Sequence, residues 1–212
     1  KDGVDLNRNY PFRWGALGEE GSRSRLTHTW YRGPEAASEP ETRAMMQLAE
    51  QEHFVASISY HIGTIGILAP YTIDGVRNPE PNEAWAVAED IAAGMPPGLK
   101  GKRFEVVRQL YPVDGTDQDW HRYQHGTVAL LVEGARLSFV EADKRLQSRL
   151  PVRESWRGLL RRLSTGPMLS GRVVNERGEP LELPVSLDEQ QRFEGERWTS
   201  RCELAKGRWR RT

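Results

Sequence analysis

Two apolar runs in this chain end on side chains able to do chemistry. Phe54-Val55-Ala56-Ser57-Ile58-Ser59-Tyr60 is followed by His61, and Thr127-Val128-Ala129-Leu130-Leu131-Val132 by Glu133. A histidine can ligate a metal or move a proton, and a carboxylate set against an apolar run must be paired, neutralised or opened to a cleft. Near the N-terminus, Asp5-Leu6-Asn7-Arg8-Asn9-Tyr10 puts an amide beside a guanidinium. The planar fork of arginine binds a carboxylate through two parallel hydrogen bonds, and asparagine adds a neutral donor next to it. Proton transfer and carboxylate binding are the chemistries these residue types offer. Taken singly, each also has a plain structural reading, as a strand-end histidine or a surface Asn-Arg turn.

The elements that must position them follow from periodicity. Residues 1 to 37 are rich in Gly, Arg and Pro without sustained repeat and read as an ordered loop excursion, a common carrier of function. Ser38-Glu39-Pro40-Glu41 has the form of a capping box, and Ala44, Met45, Leu48 and Ala49 follow at helical spacing, predicting a helix over 39–52. Phe54 to Tyr60 reads as a buried strand with His61 at its C-terminal end. Asn82 is a candidate cap for a helix whose apolar face is Ala84, Val87, Ala88 and Ile91, stopped by Gly94 and Pro96-Pro97.

Phe104 to Leu110 is another strand candidate, Gly115 to Gln124 a short polar helix, and Thr127 to Val132 a central strand. Trp156, Leu159, Leu160 and Leu163 mark a last helix before Ser164-Thr165-Gly166-Pro167. Helices alternating with apolar strands give an α/β domain over 1–166. Short alternating segments at Ser170 to Asn175, Leu183 to Leu187, Arg197 to Cys202 and from Gly207 onward give a small β-rich module over 167–212, with a turn at Glu176-Arg177-Gly178-Glu179. His61 and Glu133, at the ends of two strands of one sheet, are where an α/β fold builds its site.

Composition narrows the field. Lys plus Arg and Asp plus Glu balance at 30 each over 212 residues, so no whole-chain field argues for nucleic acid or an anionic membrane. Apolar stretches are broken well short of the roughly 20 residues a bilayer span needs. Cys202 is the lone cysteine, which excludes an internal disulfide and a cysteine-based zinc site. The chain opens directly on Lys1-Asp2-Gly3-Val4-Asp5 with neither an initiator Met nor a signal sequence, and so reads as cut from something longer.

Read as a unit, Asp5-Leu6-Asn7-Arg8-Asn9-Tyr10-Pro11-Phe12-Arg13-Trp14-Gly15 resembles the Asp-x-Asn-Arg-Asn signature of the zinc metallocarboxypeptidases of the carboxypeptidase A and B type. Four further segments resemble that family in the same order: Tyr31-Arg32-Gly33-Pro34 through Ser38-Glu39; Ser59-Tyr60-His61 with Pro70-Tyr71 beyond; Tyr111 with Gly115 and Asp119-Trp120; and Glu133, 22 residues (133 minus 111) past that Tyr. The resemblance implies an enzyme that removes the last residue of a peptide or protein. His61 would be a zinc ligand, and Glu133 the general base and acid acting on a zinc-activated water. Asn7 and Arg8 would hold the terminal carboxylate, Tyr111 would close over substrate, and Gln118 would stand at the position that sorts substrate side chains. It also implies a mixed β-sheet with flanking helices for the domain over 1–166, a secreted or periplasmic setting, and a transthyretin-like β module for the C-terminal segments.

The sequence departs from the family in one large respect. A catalytic zinc takes three protein ligands plus water. The family supplies two of them as His-x-x-Glu before the Asn-Arg signature, and none of His28, His53, His61, His121 or His125 is followed by Glu at the third position. The ligands would then lie about 60 to 80 residues before Asn7, a span set by the resemblance and the ligand count. Smaller departures are Ile62-Gly63 after the His and Gly134-Ala135 after Glu133. Two other readings remain open: a deacylase of N-acyl amino acids on the same scaffold, against which Asn9-Tyr10-Pro11-Phe12-Arg13-Trp14-Gly15 argues, and a non-catalytic relative that keeps only the carboxylate pocket.

Overall fold

The computed structural model describes residues 3–78, 80–98, 101–134, 142–166, 169–181 and 208–211, with the backbone alone for 142–148, 169, 170 and 208–211. An apolar strand with no polar face needs neighbours on both edges and cover on both faces. β4 (Val128–Glu133) is buried along its whole length and sits inside the sheet. It pairs in parallel with β1 (Ala56–His61) and antiparallel with β2 (Gly66–Leu68), and β2 pairs in parallel with β3 (Val106–Val107). The sheet is therefore mixed, in the order β1-β4-β2-β3.

Strand alternation sorts the residues of β4 between two layers. Val128, Leu130 and Val132 join Ile65, Ile67, Phe104 and the apolar faces of α2 (Glu83–Gly94) and α4 (Ala142–Thr165) in the larger core. Each such aliphatic side chain, fully buried, contributes about 1.5–3 kcal/mol relative to exposure. The α2 helix begins as expected, with Asn82 Oδ1 accepting the Trp85 N–H at 3.1 Å. On the other face, Ala129, Leu131 and Glu133 turn toward α3 (Asp117–His125) and the N-terminal loops. A second core of Tyr10, Phe12, Tyr71, Ile73, Val76 and Trp120 forms there, with Ala49 of α1 (Pro40–Glu52).

Several local expectations change. Ser38 does not cap α1: its hydroxyl donates to Glu39 Oε1 and accepts from Asn9, and Glu39 takes the cap position with no side-chain bond to the helix's first N–H groups. The strand expected over 104–110 shrinks to Val106–Val107, because Arg108 turns away to donate to the carbonyls of Tyr71, Ile73 and Val76. On α4, Leu159 is buried and Leu163 packs on the core, whereas Trp156 and Leu160 face solvent at 43% and 55% exposure. Ser155, fully buried, takes the inward position one residue earlier and meets the Tyr60 hydroxyl at 3.0 Å.

In the C-terminal segment, β5 (Leu169–Arg172) pairs antiparallel with β6 (Arg208–Arg211), and the turn around Glu176-Arg177-Gly178 is closed by the Val174–Pro180 bridge. The strands expected at 183–187 and 197–202 lie outside the described residues. Among the described residues, no helix is long and apolar enough to cross a membrane.

Candidate active site

The Asp5-to-Tyr10 segment is a short 3-10 turn, Leu6–Arg8, started by Asp5, whose Oδ1 accepts the Asn7 N–H at 3.0 Å. Its far side is pressed against Gly115. A Cβ at Gly115 would lie 2.5 Å from the Arg8 carbonyl, and the residue has φ +66°, so both space and backbone favour glycine. Asn7 Oδ1 accepts the N–H of Asp117, the first residue of α3, at 2.8 Å. That contact fixes the amide orientation and leaves the Asn7 NH₂ as a donor.

Arg8 is buried at 5% exposure. Nη1 donates to the Asn7 carbonyl at 2.6 Å and Nη2 to the Tyr111 hydroxyl at 3.3 Å, while the buried Nε has no partner among the described residues. Tyr111 in turn lies flat on Trp30, with ring centroids 5.4 Å apart and planes 2° from parallel. Arg23 sits over the outer face of Trp30 at 5.8 Å. Asn9, by contrast, is a tie inside the loop: its Nδ2 donates to the Arg32 and Glu35 carbonyls and to Ser38 Oγ, and its Oδ1 accepts the Glu39 N–H.

At the other end stand Glu133 and His61, directly opposite in the β1–β4 register. Glu133 is 7% exposed, and its buried Oε2 has no hydrogen-bond partner among the described residues. Burial pushes the Glu133 carboxyl above the usual range, partly offset by the His61 imidazole and by the Thr64 backbone N–H. Gly63 passes close, with space for a Cβ 3.5 Å from Glu133 Oε2.

The wall between these ends comes from α3. Asp117 accepts from Ser59 Oγ on β1 and from the Gln118 N–H, tying the helix start to the sheet. Asp119 accepts from the backbone N–H and hydroxyl of Thr72 and from the Ile73 N–H, and burial raises its pKa to about 6 against those hydrogen bonds. Gln118 is 2% exposed. Behind the wall, His121 and His125 pack edge-on to Trp120 at 4.9 and 5.0 Å, away from the cleft.

Asn7, Arg8, His61, Tyr111, Gln118 and Glu133 all line one cleft of about 150 Å³, together with Asp5, Trp30, Val113 and Leu131. Every site residue singled out in the sequence thus falls in one place. Trp30, Asp117 and Thr72 were not singled out. Trp30 had no periodicity to mark it, and the other two act through contacts with residues 110 and 46 positions away.

The strand ends carrying His61 and Glu133 thus line the same cleft as the Asn7-Arg8 pair. The zinc carboxypeptidase family profile matches residues 1–148, and the chain belongs to that family. It is 30% identical over 122 residues to zinc carboxypeptidase A 1 of Anopheles gambiae, a match covering 56% of this chain and 28% of the mosquito protein. The fold is similar to that of the carboxypeptidase A of Helicoverpa armigera, with a TM-score of 0.63 and 21% identity over 75% of this chain and 41% of that one. It is also similar to bovine thrombin-activatable fibrinolysis inhibitor, solved in complex with tick carboxypeptidase inhibitor, with a TM-score of 0.58 and 22% identity over 74% and 57% of the two chains. The chain spans under a third of the mosquito relative's length and about two fifths to three fifths of these solved structures.

Proposed function

We propose that the whole protein is a zinc-dependent metallocarboxypeptidase that hydrolyses the C-terminal peptide bond of peptides or proteins. The observation carrying this reading is the distribution of polar groups in the cleft: an oriented Asn7 amide donor and a buried Arg8 guanidinium at one end, and a partly desolvated Glu133 carboxyl at the other. Asn7 and Arg8 bind the terminal carboxylate, which selects the last residue. Glu133 takes a proton from the attacking water and delivers one to the leaving amine, tasks favoured by a carboxyl whose pKa burial raises above the usual range. Tyr111, seated on Trp30, covers the bound residue, with Trp30 as its positioning residue. Gln118 lines the pocket for that residue's side chain. The family resemblance favours a secreted or periplasmic setting.

The family implies Zn²⁺, and the described residues alone do not fit it. No group of three or more His, Cys, Asp or Glu among them is disposed to hold a metal, and His61 is the one imidazole lining the cleft. A polypeptide of this sequence alone is expected to retain no stoichiometric zinc after dialysis, which metal analysis checks.

The function is tested with peptide pairs differing only at the C-terminus, free acid against amide, incubated with the whole protein and Zn²⁺. Release of the last residue from the acid and not from the amide is expected. Equal hydrolysis of both, or internal cleavage, contradicts the reading.

A further inference from the structure

Gln118 lines the cleft beside Leu68, Val113 and Leu131 and is nine-tenths or more buried. Its amide is tied at one end only, with Nε2 donating to Thr72 Oγ1 at 3.1 Å. The direction of that bond is set one residue further on. The Thr72 hydroxyl proton is committed to Asp119 Oδ2 at 2.9 Å, so Thr72 oxygen meets Gln118 as an acceptor. Asp119 is itself held by the N–H groups of Thr72 and Ile73 at 2.7 and 3.0 Å. The relay from Gln118 through Thr72 to Asp119 thus runs one way, and it leaves Gln118 Oε1 as the free end of the amide. That oxygen is buried and has no donor among the described residues.

A buried acceptor without a donor is unfavourable unless something that enters the site supplies one. We propose that this pocket takes C-terminal residues with an uncharged side chain whose tip donates a hydrogen bond, such as tyrosine or glutamine. The inference rests on the carboxypeptidase reading and names its substrate class. Leu68, Val113 and Leu131 suit the apolar body of such a side chain, and Gln118 Oε1 suits its tip. A carboxylate tip would face another acceptor. A lysine or arginine tip would be desolvated beside a neutral amide, since the Asp119 carboxylate is engaged by Thr72 and Ile73. Phenylalanine or leucine would leave Oε1 unmatched.

The test measures affinities of the whole protein for N-blocked dipeptides ending in Tyr, Phe, Gln or Glu, each as free acid and as amide. It is run at pH 8, above the value of about 6 for Asp119, so that the relay has its carboxylate acceptor. The expected result is a preference of at least about fivefold for Tyr over Phe and for Gln over Glu, abolished by Gln118→Leu. Phe binding as well as Tyr overturns the proposal, and so does a preference that survives Gln118→Leu. If that variant does not fold, the wild-type series decides. Loss of discrimination between acid and amide across all four ligands overturns the carboxypeptidase reading, and this inference with it.

Discussion

The two ends of the cleft are built differently. At the carboxylate end nearly every polar atom is tied to a neighbour: Asp5 to the Asn7 backbone, Asn7 to α3, Arg8 to Asn7 and Tyr111, Tyr111 to Trp30. At the Glu133 end the supports among the described residues are few, an opposing His61 and one Thr64 N–H, and Oε2 is buried with no partner among them. The first is assembled from the Asp5–Arg8 turn, Trp30, Tyr111 and the start of α3, each holding the next in place. The second is a buried carboxylate, on the proposed reading the group that moves protons. Preorganisation belongs where the ligand is the same in every substrate, and unmet hydrogen-bonding capacity belongs where bonds change.

The sharpest way to break this contrast is at Arg8. Arg8→Ala is expected to lower kcat/KM by about 10- to 100-fold, mostly through KM, because a charge-assisted pair to the carboxylate is lost. Arg8→Lys should restore little, since the fork geometry is what Asn7 and Tyr111 hold in place. Steady-state kinetics on a free-acid dipeptide checks both. Next is Gly115→Ala, which forces a Cβ to 2.5 Å from the Arg8 carbonyl at φ +66°. A stability loss of about 2 kcal/mol is expected in urea titration, with a raised KM even where the protein folds.

Trp30→Ala, which removes the seat of Tyr111, should raise KM by about fivefold with a smaller effect on kcat, and Trp30→Phe should recover most of it. The smallest effect at neutral pH is expected behind the wall. Burial lowers the His121 pKa to about 4, opposed by Asp117 and reinforced by His125. The unfolded chain then takes up a proton that the folded one refuses, so the His121 contribution is present above pH 6.5 and is lost as pH falls toward 4. Asp119, raised to about 6, acts oppositely, its contribution being present below about 3.8 and lost as pH rises through 6. His121→Phe should therefore remove only the acid-side loss, seen as a flatter stability curve from pH 6.5 to 4 in denaturant titrations.

Much of this site was legible in the sequence because its framework is periodic. The alternation along Val128–Glu133 and Ala56–His61 fixes which face each residue joins, and strand ends place His61 and Glu133 together. The Asn82 cap and the α2 face were equally local signals. What was not legible depends on long-range partners. β2 has only Gly66, Ile67 and Leu68, too short to show a period, yet it carries the antiparallel edge of β4. The capping box at Ser38 failed because Asn9, 29 residues away, takes its hydroxyl. The stacking of Trp30 on Tyr111 and the direction of the Gln118 amide exist only once the loops meet.

The central claim is that binding and chemistry occupy separate ends of one cleft. Substitution of Glu133 by Gln tests it most directly, with turnover and dipeptide affinity measured on the same preparation of the whole protein with Zn²⁺. Turnover is expected to fall by about 100-fold or more while the Kd for a free-acid dipeptide stays within about threefold. Unchanged turnover, or affinity lost along with it, would contradict the claim.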